Sequence, residues 1–392
     1  MIQELRDDTP GCKQRIHLNN AGASLPPQPV LQAMQQYLEL ESTIGGYEAV
    51  DLLHDELQGF YDAVANMLGT QANNIAYAGS ATDAYAKVLS SIPWQKGDVI
   101  VTSENDYSSN RIAFLALKKR FGVEIIPSLS VAISDAELAD LESLIKNQPP
   151  KLLAISHIPT NNGLVQPVEA IGKILRNTET LYLVDACQSA GQMRLDVNTI
   201  GCDFLTATMR KFMRGPRGAG FLYASDRVFE LGLEMMLPDM RSATWTSIDG
   251  YKTVQGAKRY EYWEVPYALV MGSKVATEYA VNLGLEWIEA QVKRLADLSR
   301  NLLSEMPGVE VLDLGNQQCG IVTAHADHWD YGSILQKLQA EHINCRVSPG
   351  MVQGGEFPAP GRDKALRVSP HYYNTEDEIR RFAEVLRREF PR

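Results

Sequence analysis

The chain has 392 residues, with 37 lysines and arginines against 48 aspartates and glutamates, so its formal net charge is -11. This acidic balance argues against general binding to nucleic acids or to anionic membranes, because such binding requires a dominant basic surface. The five cysteines are odd in number and include no CxxC pair, which argues against a disulfide framework or a metal site and indicates a reducing compartment.

The N-terminal segment MIQELRDDTPGCK is charged and lacks the apolar core of a signal peptide. No later segment approaches the roughly 20 apolar residues that a membrane span requires. We therefore expect a cytoplasmic protein that binds neither membranes nor nucleic acids.

Short apolar segments that are typical of strands alternate with helix-length amphipathic segments through most of the chain, which favours an α/β sheet. Helices are predicted at 83–92 and 108–122. The predicted strands are 74–79, 98–103, 151–158, 180–186, 202–208 and 218–224. Ligands of open α/β sheets bind at the carboxyl ends of the strands, so the residues that follow each strand are the candidates for function.

After about Val265 the pattern changes to a long helical stretch, 268–306, whose internal glycines predict one or two breaks. The last helix opens at Thr375, which is predicted to form a capping box with Glu378. Short strands are predicted between these helices at 308–314, 320–325 and 344–348. This part of the sequence predicts a smaller α+β domain.

Two charged side chains follow neighbouring predicted strands. Asp185 closes the strand LYLVDA, and Lys211 follows the next strand by a few residues. Because parallel strands end at the same edge of a sheet, both side chains are expected to face one ligand. A lysine that forms a Schiff base, together with an aspartate that holds a pyridine nitrogen protonated, is the pairing that pyridoxal phosphate requires.

A candidate phosphate site precedes a predicted helix. The segment GSATDA (79–84) lies at a strand end, where free backbone N–H groups and the helix dipole favour an anion, and Thr82 adds a hydroxyl. Each feature alone has an ordinary explanation, since strand-end aspartates and loop lysines are common and Thr82 can be a simple N-cap. Their conjunction in sequence order is far more specific.

From HLNNAGAS (17–24) to the C-terminus, the chain resembles the class V, fold type I enzymes of the aminotransferase, cysteine desulfurase and C–S lyase superfamily, which use pyridoxal 5'-phosphate. The resemblance implies a large domain with a mixed sheet at 17–264 and a small α+β domain at 265–392, joined by an N-terminal arm at 1–16. It also implies a homodimer with active sites at the subunit boundary and a small amino-acid substrate.

The motifs carry the family's cofactor contacts over to this sequence. In LVDACQSAG, Asp185 is assigned to the pyridinium nitrogen and Gln188 to the phenolic oxygen, and Lys211 becomes the Schiff-base lysine. The resemblance places the phosphate against the backbone of Ala81 and the side chains of Thr82, Thr208 and Arg210. Arg210 stands where the family often has histidine.

Other site residues are implied by the same resemblance. Tyr107 stands where an imidazole usually stacks on the cofactor ring, with a core tyrosine as the alternative. Thr160 or Asn161 in HIPTNNG would lie near the phenolic oxygen, the alignment being ambiguous by one residue. Thr244 would reach the phosphate of the partner subunit, and Arg214 and Arg217 are expected to shape their loop or meet that subunit. On the substrate side, the resemblance assigns Arg367 to the α-carboxylate, with a surface salt bridge as the alternative, and brings Asn20 and Ala21 over the substrate.

The reaction is predicted from one loop and three motifs. Desulfurases of the superfamily need a cysteine on a mobile loop of the small domain, and the matching region, 348–367, has none, while Cys345 precedes it in a predicted strand. IGGYEA (44–49), RKFMRGPRGAGFLY and RSATW are most similar to the ergothioneine-type sulfoxide C–S lyases. We therefore expect β-elimination from a cysteine conjugate or its sulfoxide, with release of pyruvate and ammonia. A class V aminotransferase or epimerase is the alternative, and a non-catalytic binding protein is a third.

Overall fold

The computed structural model describes residues 1–130, 132–349 and 364–390. The segment in which a sulfur-accepting cysteine was sought therefore lies, from 350 to 363, outside the described residues. The strands are β1 (Ile16–His17), β2 (Ile75–Ala78), β3 (Val99–Ser103), β4 (Glu124–Leu129), β5 (Leu152–Ser156), β6 (Leu181–Asp185), β7 (Phe204–Thr208), β8 (Gly220–Ala224), β9 (Ala243–Ser247), β10 (Gly250–Thr253), β11 (Glu310–Val311), β12 (Val322–His325), β13 (Ile343–Asn344), β14 (Arg346–Pro349) and β15 (Lys364–Val368).

Helices precede, separate and follow these strands. They are α1 (Ile2–Asp7), α2 (Gln28–Ile44), α3 (Gly46–Leu52), α4 (His54–Leu68), α5 (Ala81–Ser91), α6 (Ser108–Phe121), α7 (Asp135–Asn147), α8 (Val168–Leu175), α9 (Val197–Ile200), α10 (Asp226–Glu230), α11 (Tyr267–Leu283), α12 (Leu285–Ser304), α13 (Tyr331–Ala340) and α14 (Glu376–Glu389). Short 3₁₀ turns lie at Pro10–Lys13, Ala72–Asn74 and Ala257–Tyr260.

The central sheet has seven strands in the order β2-β8-β7-β6-β5-β3-β4. Only β8 runs antiparallel to its neighbours, so the sheet is mixed, as predicted. The predicted strands correspond to β2, β3 and β5–β8. The structure adds β4, at the edge of the sheet, to which the sequence assigned no strand.

Both faces of this sheet are covered. Alternate residues of β5 enter opposite cores, with Leu153 and Ile155 on one side and Leu152 and Ala154 on the other. A strand buried on both faces is expected to be apolar throughout, which is why LLAIS shows no polar alternation. The side chains that follow these strands are thereby held at one edge of a rigid layer.

The C-terminal part forms a second, smaller sheet. Its antiparallel strands have the order β11-β12-β15-β14, and α12, α13 and α14 pack beside it around a separate apolar cluster. β1 pairs with β13 in a separate two-stranded sheet, which attaches the N-terminal segment to the C-terminal part. The α+β character is as predicted, whereas the domain boundary between 264 and 265 stays a prediction.

Local signals in the C-terminal part are confirmed. The long helical stretch breaks once, at Gly284, whose φ of 87° lies in the left-handed region that favours glycine. Thr375 and Glu378 form the predicted capping box at the start of α14. Within the described residues, no helix combines the length and the apolar composition that crossing a membrane requires.

Candidate active site

A cavity of about 240 Å³ opens at the carboxyl ends of the central strands. Apart from Asn161 and Thr244, every predicted cofactor-binding residue lines it: Ala81, Thr82, Tyr107, Thr160, Asp185, Gln188, Thr208, Arg210 and Lys211. Ser156, Cys187 and Arg217 line it as well, although the sequence assigned them no cofactor contact. The topology thus brings together residues that are far apart in the sequence.

Lys211 lies just beyond β7 with only 8% of its surface exposed. Its Nζ forms no hydrogen bond or ion pair with any residue that the structure describes. Burial lowers the pKa of the Lys211 ammonium, and Arg210 and Arg367 lower it further, while Cys187 and Asp185 oppose the shift. A buried amine whose pKa is lowered has the neutral character that a nucleophile or base requires.

Asp185 ends β6 and is buried at the floor of the cavity. One carboxylate oxygen, Oδ1, accepts a hydrogen bond of 2.9 Å from the backbone N–H of Cys187. The other, Oδ2, accepts one of 3.1 Å from the Asn110 side-chain amide. These donors orient the carboxylate without neutralising it, which suits a partner for a protonated pyridine nitrogen.

The start of α5 forms one end of the cavity. The first two helical amides, those of Ala81 and Thr82, have no carbonyl within the helix to which they can donate. A Cβ on Gly220 would lie 3.1 Å from the Ala81 nitrogen, so glycine lets β8 approach this helix start closely. The segment that carries Arg217 therefore runs beside the helix terminus, where an anion binds most readily.

Two guanidinium groups face this end of the cavity. Burial lowers the pKa of Arg210, and the positive charge of Arg217 lowers it further. Arg210 also donates to the Gly22 carbonyl. Two mutually repelling cations beside a helix N-terminus are stabilised by a doubly charged anion such as a phosphate group. Arg217 was expected only to shape its loop or to meet a partner, and its place in the cavity depends on how the loop packs.

Gln188 connects the cavity to the N-terminal segment. Its Nε2 donates to Thr160 Oγ1 at 2.9 Å and to the Ala21 carbonyl at 3.1 Å. Its buried Oε1 has no partner among the described residues. Of the two positions left open by the alignment, the structure places Thr160 on the cavity wall and Asn161 outside the lining.

The proposed carboxylate-binding arginine lies directly behind this wall. Arg367, on β15, donates through Nη1 to the Thr160 carbonyl at 2.8 Å and through Nη2 to Asn19 Oδ1 at 3.3 Å. Asn20 is turned away from the cavity, because its amide donates to the Ser369 carbonyl at 2.7 Å and its Oδ1 accepts from Tyr373. Asn20 thus holds the segment in place, while the backbone of Ala21 contacts Gln188.

Arg214 shapes the lysine loop, which is one of the two roles expected for it. Its buried guanidinium donates to the Tyr372 hydroxyl at 2.8 Å and to Thr9 Oγ1 at 2.6 Å, and it stacks over the Tyr373 ring at 4.4 Å. Its backbone N–H donates to the Lys211 carbonyl at 2.9 Å. The segment that carries Lys211 is therefore fixed to both termini of the chain.

Thr244 lies far from the cavity lining of its own chain. It is exposed on β9, which forms a hairpin with β10. The same hairpin exposes large apolar side chains, with Trp245 at 79% and Ile248 at 88%. A contact from Thr244 to a phosphate would therefore have to be made in a second subunit.

The donor set of the cavity fits pyridoxal 5'-phosphate. The buried amine of Lys211 has no partner among the described residues, and the Asp185 carboxylate faces the same space. The helix start with Arg210 and Arg217 suits the phosphate, and Tyr107 offers an aromatic ring on the cavity wall. Arg367 lies behind the cavity wall, where it donates to the Thr160 carbonyl.

Comparison with known proteins agrees with this geometry. Residues 16–382 match the model of the family described as Aminotransferase class-V, which confirms the resemblance to this superfamily and the fold type I architecture. The match also confirms that the chain is an enzyme and that its cofactor is pyridoxal 5'-phosphate. A probable cysteine desulfurase of Methanothermobacter thermautotrophicus is 26% identical over 98% of this chain and 97% of that protein. A probable hercynylcysteine sulfoxide lyase of Mycobacterium tuberculosis is 25% identical over 95% of this chain and 89% of that protein.

The fold is also similar to that of solved structures. The apo structure of a cysteine desulfurase from Thermococcus onnurineus NA1 superimposes with a TM-score of 0.89 at 25% identity, over 99% of this chain and 98% of that one. The relatives thus include enzymes of both carbon–sulfur chemistries that the sequence analysis weighed.

Proposed function

The chain belongs to the aminotransferase class-V family, and we propose that it is a carbon–sulfur lyase that acts by β-elimination on a cysteine conjugate or its sulfoxide. Water is consumed, and the products are pyruvate, ammonia and the thiol or sulfenic acid that leaves from Cβ. The observation that carries the proposal is the cavity itself, in which a buried lysine without a partner among the described residues and a buried carboxylate face one space.

The position of each residue in the cavity indicates its role in the proposed reaction. When bound, pyridoxal phosphate acts as an electron sink for the charge that develops when the substrate loses its Cα proton. The Lys211 amine, whose pKa burial lowers, is the base that removes this proton. Asp185 keeps the ring nitrogen protonated, and the C–S bond breaks with its electron pair moving to sulfur, so no protein nucleophile is needed.

The state of the cysteines favours elimination over sulfur transfer to the protein. Burial raises the pKa of every one of the five thiols, to about 11 for Cys12 and about 12 for Cys319 and Cys345. A sulfur acceptor must attack as a thiolate, which a raised pKa disfavours at neutral pH. Cys187, although it lines the cavity, is among these protonated thiols.

Cysteine desulfurase is the second candidate, because relatives with that name match this chain at 26% identity. Aminotransfer and epimerisation begin with the same proton removal and are the further alternatives. A panel of cysteine, S-substituted cysteines and their sulfoxides separates these reactions when pyruvate, keto-acid exchange and sulfide are measured side by side. Pyruvate in proportion to the substrate consumed, with no persulfide on any of the five cysteines, is the result we expect.

Other outcomes of this panel assign a different reaction. Keto acid formed only when an amino acceptor is added would establish an aminotransferase. Alanine formed from free cysteine, with a protein-bound persulfide found by mass spectrometry and sulfide released only when a thiol reductant is added, would establish a desulfurase. Either result would contradict the lyase proposal.

Arg367→Ala is expected to raise KM about tenfold to a hundredfold. The reason is the loss of a charge-assisted bidentate pair with the substrate carboxylate, which contributes roughly 1.5 to 3 kcal/mol. Initial-rate kinetics measure this effect. Arg381→Ala is a control, because Arg381 is a half-buried arginine that pairs with Glu341 and Glu384 outside the cavity lining. An unchanged KM in Arg367→Ala would show that this arginine only braces the Thr160 wall.

The active protein is proposed to be a cytoplasmic homodimer. The exposed β9–β10 hairpin supports the assembly, since it presents Thr244 beside Trp245 and Ile248, where a second subunit can cover the apolar side chains. The large domain at 17–264 and the small domain at 265–392 are part of the same proposal.

The substitution Trp245→Asp is expected to dissociate the dimer into monomers, because it places a charge among the apolar side chains of the proposed interface. Light scattering of the wild type and the variant measures this change in molecular mass.

A further inference from the structure

A second buried carboxylate lies beneath the cavity, next to the aspartate that faces the cofactor. Asp106 follows β3 and is fully buried, and Asn110, in the first turn of α6, is buried as well. The Nδ2 of Asn110 lies 3.1 Å from Asp106 Oδ1 and 3.1 Å from Asp185 Oδ2. One amide group therefore donates to both carboxylates.

We propose that Asp106 and Asn110 are positioning residues. They orient the Asp185 carboxylate and strengthen its interaction with the protonated ring nitrogen of bound pyridoxal phosphate. The inference rests on the cofactor site of the proposed function and not on which substrate is cleaved. Neither residue needs to touch the cofactor, since both act through Asp185.

The orientation of Asn110 is the first step. An ionised carboxylate only accepts hydrogen bonds, so the side of the Asn110 amide that faces Asp106 and Asp185 must carry the hydrogens. If the charge of Asp106 were removed, the amide could turn and direct Oδ1 toward Asp185. The carboxylate would then lose a donor and face a lone pair instead, which favours its neutral form.

The described hydrogen-bond partners of Asp106 are neutral donors. Its oxygens accept from Ser156 Oγ at 2.6 Å, from the Tyr107 N–H at 2.7 Å and from Thr102 Oγ1 at 2.9 Å. Among the described residues, no cationic side chain forms an ion pair with this carboxylate, and none is among the largest causes of its pKa shift. A buried charge held in this way is costly to the fold, so stability alone does not explain its presence.

The charge of Asp106 reaches the cofactor site through space as well. Burial, together with the Asp185 charge, raises the pKa of Asp106 to about 6, although the hydrogen bonds that it accepts from neighbouring side chains oppose the shift. Tyr85 of α5 also interacts electrostatically with both carboxylates, and burial raises its pKa well above its usual range. When ionised, Asp106 therefore adds a negative charge beneath the cavity, and this charge stabilises a positive charge on the ring nitrogen.

Asp106 also fixes the aromatic wall, because the Tyr107 N–H donates to the same oxygen that Ser156 contacts. The network thus spans the ends of β3, β5 and β6, which are adjacent in the sheet. Tyr107, Ser156 and Asp185 all line the cavity, so a shift of Asp106 would displace residues on the floor and on the wall of the cavity.

The test compares Asp106→Asn and Asn110→Ala with the wild type, and uses Asp203→Asn as the matched control. Asp203 is another buried aspartate, but it pairs with Arg227 and does not line the cavity. The apoprotein of each variant is titrated with pyridoxal 5'-phosphate, and the absorbance of the bound cofactor is followed from pH 5 to pH 9 without substrate.

We expect the protonation midpoint of the bound cofactor to fall by about one pH unit in both network variants, because Asp106→Asn removes a negative charge near the ring and Asn110→Ala removes the donor that keeps the Asp185 carboxylate oriented and ionised. The dissociation constant of the cofactor should rise at the same time. In the lyase assay, kcat should fall about tenfold to a hundredfold with KM changed much less. Asp203→Asn should show the same protonation midpoint as the wild type, even if this variant is less stable.

A midpoint and a cofactor affinity equal to those of the wild type in Asn110→Ala would overturn the proposal, even if Asp106→Asn failed to fold. If the network served only to stabilise the fold, the variants would lose stability without any change in the midpoint or in the cofactor affinity. Because the titration contains no substrate, it gives an answer even if the protein turns out to be an aminotransferase or a desulfurase.

Discussion

Lys211→Ala should bind pyridoxal phosphate without a covalent bond and should lose activity by at least about 10²- to 10⁴-fold, the usual contribution of a positioned base. The same side chain is the proposed attachment point and the proposed base, so both functions disappear with one substitution. The structure offers no replacement in the lining, where Arg210 and Arg217 are the other cationic side chains. An arginine remains protonated at any pH that the fold tolerates and cannot act as a base.

The measurement combines chemistry and mapping. Borohydride reduction of the wild type followed by peptide mapping should label the peptide that contains Lys211, and the variant should remain unlabelled. Lys258→Ala is the control, because burial lowers the pKa of Lys258 as well, yet its amine donates to Gln58 outside the cavity lining. A label on any other lysine in the wild type would contradict the assignment.

The sequence predicted the central strands well because each is a short apolar run that ends in a turn. Two consequences follow from strand direction alone. Asp185 and Lys211 lie at the same edge of the sheet, and the segment GSATDA lies at that edge as well. β4 escaped prediction because EIIPSL combines a charge with Pro127, which is tolerated only where a strand has a free edge. Its edge position is a property of the whole sheet, not of the segment.

The parts of the site that were missed depend on packing between distant segments. Arg217 reaches the cavity because Gly220 lets its loop lie against the start of α5, a contact that no spacing rule encodes. Asp106 precedes Tyr107 in SENDYSSN, and a buried acidic residue directly beside a predicted ring-stacking residue was a usable signal. The hydrogen bonds that join it to Asp185 become visible only when β3, β5 and β6 are placed side by side.

The same reasoning applies to two residues that the resemblance assigned to the site, Asn20 and Thr244. Asn20 was expected over the substrate, whereas its amide and carbonyl groups are used by Ser369 and Tyr373. Thr244 cannot be judged within one chain, because its proposed ligand lies in a second subunit. Sequence motifs thus identify which segments meet, while the hydrogen-bond partners decide which side chain of a segment faces the ligand.

Asp185→Asn should fold, retain measurable affinity for pyridoxal phosphate and lose about 10²- to 10⁴-fold in kcat. A neutral amide cannot stabilise a proton on the ring nitrogen, so the charge left by the Cα proton is poorly delocalised. KM should change little, because Arg367 is untouched. The local cost should be about 1 to 3 kcal/mol of stability, since the new amide group would direct hydrogens at the Cys187 N–H or the Asn110 amide, both of which are donors.

Three measurements separate this explanation from simple damage to the fold. Thermal unfolding of the apoprotein reports the stability cost, cofactor titration reports binding, and single-turnover kinetics report the chemical step. Asp185→Glu retains the charge on a longer side chain and should recover part of the rate that Asp185→Asn loses, because the ring nitrogen again has an anionic partner. A wild-type kcat in Asp185→Asn would show that the ring nitrogen need not be protonated, and the role given to this carboxylate would be wrong.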